Sequence, residues 1–141
     1  MPVRKDLGPD DLGDLLELPL VAVLATYRRD GSVLLSPVWH QWRDGGFDVV
    51  TGSGGIKTRH LRRNPRASIV VYEQEPPYRG IEVSGEAQLR SERVQETALL
   101  VATRYLGGEG GAAYVEQMSD DVVVRLEPGR LRAWDFSDES G

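Results

Sequence analysis

The sequence predicts a mainly β fold with helices, its strands mostly antiparallel and closed into a barrel. Three observations carry that reading. Turns of the Asp-Gly type recur between apolar runs, at Asp30-Gly31 and Asp44-Gly45-Gly46, and such turns join antiparallel neighbours. Residues 81–90 alternate, with Ile81, Val83, Gly85, Ala87 and Leu89 set against Glu82, Ser84, Glu86, Gln88 and Arg90, the period of a strand with one wet face. Strands do not alternate regularly with long helical segments, so a βαβ architecture is not expected. A chain of 141 residues suits one domain, 1–141, able to bury roughly two-thirds of its unfolded surface.

Residues 10–18, DDLGDLLEL, predict a short helix with Asp10 or Asp11 as N-cap, an apolar side of Leu12, Leu15 and Leu16, and a stop at Pro19. Leu20 to Thr26 is an apolar, β-rich run read as the central strand. Arg28-Arg29-Asp30-Gly31 turns the chain into a second strand, Ser32 to Arg43, in which Pro37 marks an edge or a bulge. A third strand, Phe47–Thr51, completes a meander. The loop Gly52-Ser53-Gly54-Gly55 follows, and Lys57 opens a short helical stretch that ends at Asn64-Pro65, because the residue before proline is pushed out of the α region. Ala67 to Glu73 is a fourth strand, Gln74 to Tyr78 a proline-containing loop, and 81–90 the alternating strand. Ser91 is the expected cap of a helix from Glu92 to Leu106 with a stripe of Val94, Ala98, Val101 and Tyr105. Gly107 to Gly111 breaks it, and 112–118 suits a further helical turn. Strands over 121–126 and 130–136, joined by Glu127-Pro128-Gly129, end the chain.

The stretch VVTGSGGIKTRHLRRNPR carries the most chemistry. Glycines let a backbone approach an anion closely, a helix start offers free N–H groups, and Lys57 adds a full positive charge. Together these are the parts of a phosphate cradle. The stretch is not a Walker A loop, since Ile56 precedes the lysine, nor a Rossmann fingerprint, since the third glycine is missing. The same residues also suit a flexible glycine loop capped by a solvated basic turn.

The charge pattern bears on the choice. Overall there are 17 basic and 22 acidic residues. Lys57, Arg59, Arg62, Arg63 and Arg66 fall within eleven residues that hold no acid, leaving 12 bases against 22 acids elsewhere. One positive patch on an acidic body suits a small anionic ligand; a nucleic-acid binder is basic over a whole face. Arg59, Arg62, Arg63 and Arg66 share one helical face, read as largely solvated, while Leu61 anchors the turn to the core.

The absence of cysteine excludes disulfides, zinc–thiolate sites and iron–sulfur clusters, and two histidines make a histidine-built metal site unexpected. The opening MPVRKDLGPDD lacks the apolar core of a signal peptide, and no run approaches membrane-spanning length, so a cytoplasmic protein is expected. Trp39, Trp42 and Trp134 are read as core or dimer-interface aromatics, His40 as a satisfied polar residue on a strand, and His60 as exposed. The pairs Asp120-Asp121 and Asp138-Glu139 are read as solvated charges.

The segments VAVLATYRRDGSVLLSPVWHQW, GGFDVVTGSGGIKTRHLRRNPRASIVVY and PYRGIEVSGEAQL, with the tail RLRAWDF, resemble the split β-barrel, FMN-binding-like proteins related to pyridoxamine 5′-phosphate oxidase. Within them the chain is most similar to the actinobacterial branch that uses the deazaflavin coenzyme F-420. The resemblance implies a homodimer with the cofactor between subunits. By position it implies that Lys57 meets the cofactor phosphate, with Thr51 and Ser53 as hydroxyl donors and Val50 and Ile56 flanking. Ser36, Pro37 and Val38 match the strand that borders the isoalloxazine or deazaflavin ring. Tyr78 and Arg79 precede a strand that reaches across the dimer, where Gly80 replaces a polar residue of the oxidase. Ile56 stands where the oxidase has an arginine, a departure that weakens the case for FMN and for pyridoxamine phosphate oxidation and that the deazaflavin branch tolerates.

Two functional classes follow. One is an oxidoreductase using reduced F-420 to deliver hydride to a small conjugated acceptor. The other is a module that binds FMN, haem or a tetrapyrrole without turnover. Hydride chemistry is carried by the cofactor, so no catalytic side chain is named.

Overall fold

The computed structural model describes residues 7–137; Asp138-Glu139 and the first six residues lie outside them. Among the described residues eight strands form one curled antiparallel sheet: β1 (Ala22–Tyr27), β2 (Val33–Val38), β3 (Gln41–Arg43), β4 (Gly46–Gly52), β5 (Arg66–Tyr72), β6 (Gly80–Arg90), β7 (Asp121–Leu126) and β8 (Arg130–Trp134). Two helices accompany them, α1 (Ile56–Arg63) and α2 (Val94–Glu116). The spatial order is β2-β1-β5-β6-β7-β4-β3, with β8 paired to β6. The expected mainly β, antiparallel split barrel is the fold observed.

The split has a physical origin in β6. Its first half, residues 80–84, pairs with β8, and its last four residues pair with β7. Between them Gly85 lets the 127–129 loop cross: a Cβ there would lie 2.8 Å from the Glu127 carbonyl oxygen. The Gly129 N–H donates to the Ser84 carbonyl at 2.9 Å. Thus β6, and not the strand at 20–26, is central; β1 lies beside the edge strand β2. Proline is accommodated on that edge, where Pro37 faces Val23.

The expected second strand over 32–43 divides at Trp39-His40 into β2 and β3, which sit at opposite ends of the sheet path. The three-strand meander is therefore two hairpins. Both turns are as expected: Gly31 sits at φ 86°, and Asp44 and Gly45 both have positive φ. The predicted helix at 10–18 is two 3₁₀ turns, Pro9–Leu12 and Leu15–Glu17, because Gly13 at φ 60° interrupts them. Asp11 serves the first turn by accepting from the Gly8 N–H at 2.8 Å. Leu12, Leu15, Leu24, Phe47, Ile69, Ile81, Val83 and Leu126 make the center of the core.

Two helix boundaries also differ. The second helix begins at Val94, and Arg93, at φ 54°, takes the cap position expected of Ser91. It is interrupted at Gly107 (φ 80°, ψ 174°) and then resumes. The resumed half folds back on the first. In a continuous helix residues 103 and 111 would stand about 12 Å apart along the axis, whereas a Cβ on Gly111 would lie 3.0 Å from the Thr103 Cα. At the other helix, α1 ends at Arg63, so Arg66 belongs to β5 and leaves the expected arginine stripe.

Candidate functional site

A cleft of about 180 Å³ opens between β2, β4, the start of α1 and the folded-back helix α2. Pro37, Val38, Val50, Thr51 and Lys57 line it, so five of the expected site residues meet there. Trp39, Ala98, Val101, Ala102 and Tyr114 complete the lining. These five did not figure among the expected contacts. Ala98 and Val101 were read only as a core stripe, and the small side chains at 98 and 102, one turn apart, were the signal that something else must fill the space over that face.

Lys57 is the single cation of this lining. It is half-buried and has no ion-pair partner among the described residues. The glycine loop is fixed from within. The Ser53 N–H donates to Asp120 O at 2.9 Å, the Gly55 N–H to Gly52 O at 3.1 Å, and the Thr58 hydroxyl to Gly52 O at 2.7 Å. Two amides of the expected cradle are therefore already used. The amides of Ile56, Lys57 and Thr58 have no backbone acceptor among the described residues, as befits a first helical turn. Within the loop itself only the Gly54 amide is likewise left without a backbone acceptor among the described residues.

The other expected residues lie around or beyond the cleft. Ser36 precedes Pro37 on β2, half-buried opposite Leu24. Ser53 gives its carbonyl to Arg62 at 2.8 Å. Ile56 points outward, 55% exposed. Tyr78 is exposed at φ 56°. Arg79 is bound to Glu73, Asp14 and the Leu12 carbonyl, outside the cleft lining.

The basic face is less simply solvated than expected. Arg63 donates to the Tyr27 carbonyl at 2.6 Å, and the Arg66 guanidinium lies 5.0 Å from the center of the Tyr27 ring. Leu61 is buried, as expected. His60 is buried too, contrary to the exposed position expected. Its Nδ1 lies 2.9 Å from the Thr26 hydroxyl, since α1 packs that side against β1. Burial, then the charges of Arg63, Arg28 and Arg59, lower its pKa.

The aromatic wall rests on a buried polar pair. Trp39 stacks flat on Tyr105, ring centers 4.9 Å apart and planes at 8°, and meets Tyr114 at 5.4 Å. The Tyr105 hydroxyl donates to Leu20 O at 2.7 Å and accepts from the His40 backbone N–H at 3.1 Å. Its one proton being used, its 3.0 Å contact with His40 Nδ1 places the ring proton on that nitrogen. His40 is fully buried, and burial, with the charge of Arg104, lowers its pKa to about 3. The expectation of a satisfied histidine holds for Nδ1 only; Nε2 is buried without a partner. Of the other tryptophans, Trp42 packs edge-on against Phe47 and Trp134 lies under Arg132.

The family described as pyridoxamine 5′-phosphate oxidase matches residues 9–135. The chain belongs to the pyridoxamine 5′-phosphate oxidase family. Among solved structures of this fold it is similar to a conserved hypothetical protein of Mycobacterium tuberculosis, with a TM-score of 0.85 and 26% identity over 100% of this chain and 94% of that one. An F-420 reductase aligns with a TM-score of 0.72 and 25% identity, over 89% of this chain and 98% of that one. A heme storage protein of Vibrio cholerae aligns at 0.70 and 20% identity, over 90% and 94%, a likeness of fold alone. A search of curated proteins finds no match. Chains of this fold thus carry names that point to different ligands.

Proposed function

We propose that the protein is an oxidoreductase that holds F-420 in this cleft and serves hydride transfer to a small conjugated acceptor. The observation that carries the reading is Lys57, a half-buried cation at a helix start with no ion-pair partner among the described residues, facing a wall of Trp39, Val38 and Val50. A phosphorylated cofactor with a flat ring fits both halves of that chemistry. The similarity to an F-420 reductase supports F-420 over FMN.

In this reading Lys57 and the first-turn amides of α1 bind the phosphate, with the Thr51 and Ser53 hydroxyls beside them. Val50 and Ile56 flank that end. Ser36, Pro37 and Val38 border the ring and, with Trp39, exclude water from one side of it. When bound, the reduced group supplies a hydride, and a proton from solvent completes the reduction of the acceptor. Both histidines are buried in the fold, which leaves no exposed imidazole for an axial haem ligand and disfavours the haem alternative.

The cleft is smaller than the roughly 300 Å³ at which ligand pockets begin. A second copy would complete it. The outer face of β2 presents Val33 and Leu35, 41% and 62% exposed, in line with the cleft residue Pro37. A homodimer covering that face is part of this proposal, and Tyr78 and Arg79 would approach the cofactor only across it. A light-scattering mass of 15.6 kDa at micromolar concentration would refute the dimer.

The central test is titration with F-420, read by its absorbance and fluorescence. Lys57→Ala removes a charge-assisted contact of about 1.5–3 kcal/mol, one to two decades in affinity. Arg66→Ala, whose guanidinium serves Tyr27, is expected to bind like wild type. Equal losses in both variants, or none in Lys57→Ala, would sink the reading. A yellow purified protein would place FMN in the same site.

A further inference from the structure

Six arginines stand where α1 packs on β1: Arg28 and Arg29 in the β1–β2 turn, Arg59, Arg62 and Arg63 on α1, and Arg66 at the start of β5. Among the described residues none of the six lies within ion-pair distance of a carboxylate, whereas Arg43, Arg79, Arg125 and Arg132 all do. Asp30, the acid of the turn, accepts instead from the N–H and hydroxyl of Ser32. With 22 acids in the chain, partners are not scarce. Backbone carbonyls hold two of these side chains against their mutual repulsion. Arg63 donates to the Tyr27 carbonyl at 2.6 Å, and Arg28 to the Val33 carbonyl at 2.9 Å, and Tyr27 and Val33 are paired across the hairpin. Arg59 stands one helical turn before Arg63 on the same side of α1. Between α1 and β1 lies the His60 ring, 8% exposed and in contact with the Thr26 hydroxyl. The charges of Arg63, Arg28 and Arg59 all bear on that ring.

We propose that this corner is a second anion site, separate from the Lys57 cleft, where Arg28, Arg59 and Arg63 take a compact, multiply charged phosphate such as a diphosphate beside His60. None of the three arginines lines the cleft. Their planar guanidinium forks match phosphate oxygens. Arg28 and Arg63 are already ordered by carbonyls, which lowers the cost of arranging them around a ligand. A compact anion meets only this corner, whereas a long polyanion would run on over the acidic remainder of the chain. A bound anion offsets the three charges that bear on His60, so binding raises the pKa of its ring.

The chain has two histidines, so proton NMR of their imidazoles reads the site directly. Inorganic pyrophosphate, titrated at low salt, is expected to move the His60 resonance and raise its pKa, while the fully buried His40 stays unchanged. Arg28→Ala and Arg63→Ala should each weaken binding about tenfold, the loss of one charge-assisted contact. Both side chains are exposed, and an unmoved His40 signal reports that the fold is kept. Lys57→Ala should bind pyrophosphate at this corner as wild type does. ADP in the same titration separates the sources of a diphosphate: tighter binding than pyrophosphate assigns a nucleotide, and equal or weaker binding assigns the free anion. The proposal is overturned if chloride at matched ionic strength moves His60 as far, if either arginine variant binds like wild type, or if Lys57→Ala abolishes the response.

Discussion

Replacing Arg79 by alanine is expected to be among the most damaging single changes outside the hydrophobic core. Its Nε and Nη2 donate to the two oxygens of Glu73 at 2.6 and 2.9 Å, a forked contact between side chains only 17% and 13% exposed. Nη1 reaches the Leu12 carbonyl and Asp14, both at 2.8 Å. Arg79 thereby ties the start of β6 to the end of β5 and to the first 3₁₀ turn. Breaking a largely buried pair leaves Glu73 uncompensated and costs about 3 kcal/mol. The Leu12 arm adds about 1 kcal/mol. Asp14 is 58% exposed, so its arm contributes little. A loss of about 3–4 kcal/mol moves the urea midpoint by roughly 2 M for a domain of this size.

The pH dependence gives that prediction a second edge. The hydrogen bonds from Arg79 hold the Glu73 carboxyl below its ordinary value near 4.5. Its contribution is therefore complete above the unfolded-state pKa and is lost as pH falls through the lower folded value. The gap between wild type and Arg79→Ala should be full at pH 7 and should narrow below pH 4. Equal midpoints at pH 7, or a gap that persists undiminished at pH 3, would refute this account of Arg79. Arg79→Lys should recover only part of the loss, because an ammonium cannot fork onto a carboxylate.

Other outcomes follow from the same structure. His40, held neutral with a pKa of about 3, binds no proton where the unfolded chain does, so stability should fall on acidification from pH 6.5 at up to about 1.4 kcal/mol per pH unit. His40→Gln should flatten that slope in denaturation curves between pH 6 and 4; an identical slope would contradict it. Gly80→Ala should destabilise by about 1–3 kcal/mol, because a Cβ there would lie 2.2 Å from Cζ2 of Trp134, and a calorimetric midpoint equal to wild type would show that the ring can move. In the F-420 titration, raising salt should weaken wild type more than Lys57→Ala, since the missing contribution is electrostatic.

The sequence by itself determined the local grammar. Asp30-Gly31 and Asp44-Gly45 make the turns their chemistry demands, Asn64-Pro65 stops α1, and Pro37 lies on an edge, because each depends on neighbours within a few residues. The antiparallel, mainly β class was legible from the same turns, whereas the convergence of Pro37, Val38, Val50, Thr51 and Lys57 was legible only through resemblance. Tertiary structure decided what depends on distant partners. Whether residues 32–43 are one strand or two is set by which strands accept β2 and β3. His60 is buried because β1 covers its face of α1, which no charge pattern reveals. Arg66 leaves the helix because β6 pairs with it, as Arg66 faces Glu86. Tyr114 reaches the cleft only because the chain reverses at Gly107 and Gly111 lets two helical segments touch. Sequence patterns record periodicity along one element, whereas contacts between elements separated by many residues are fixed by packing, which that periodicity does not encode.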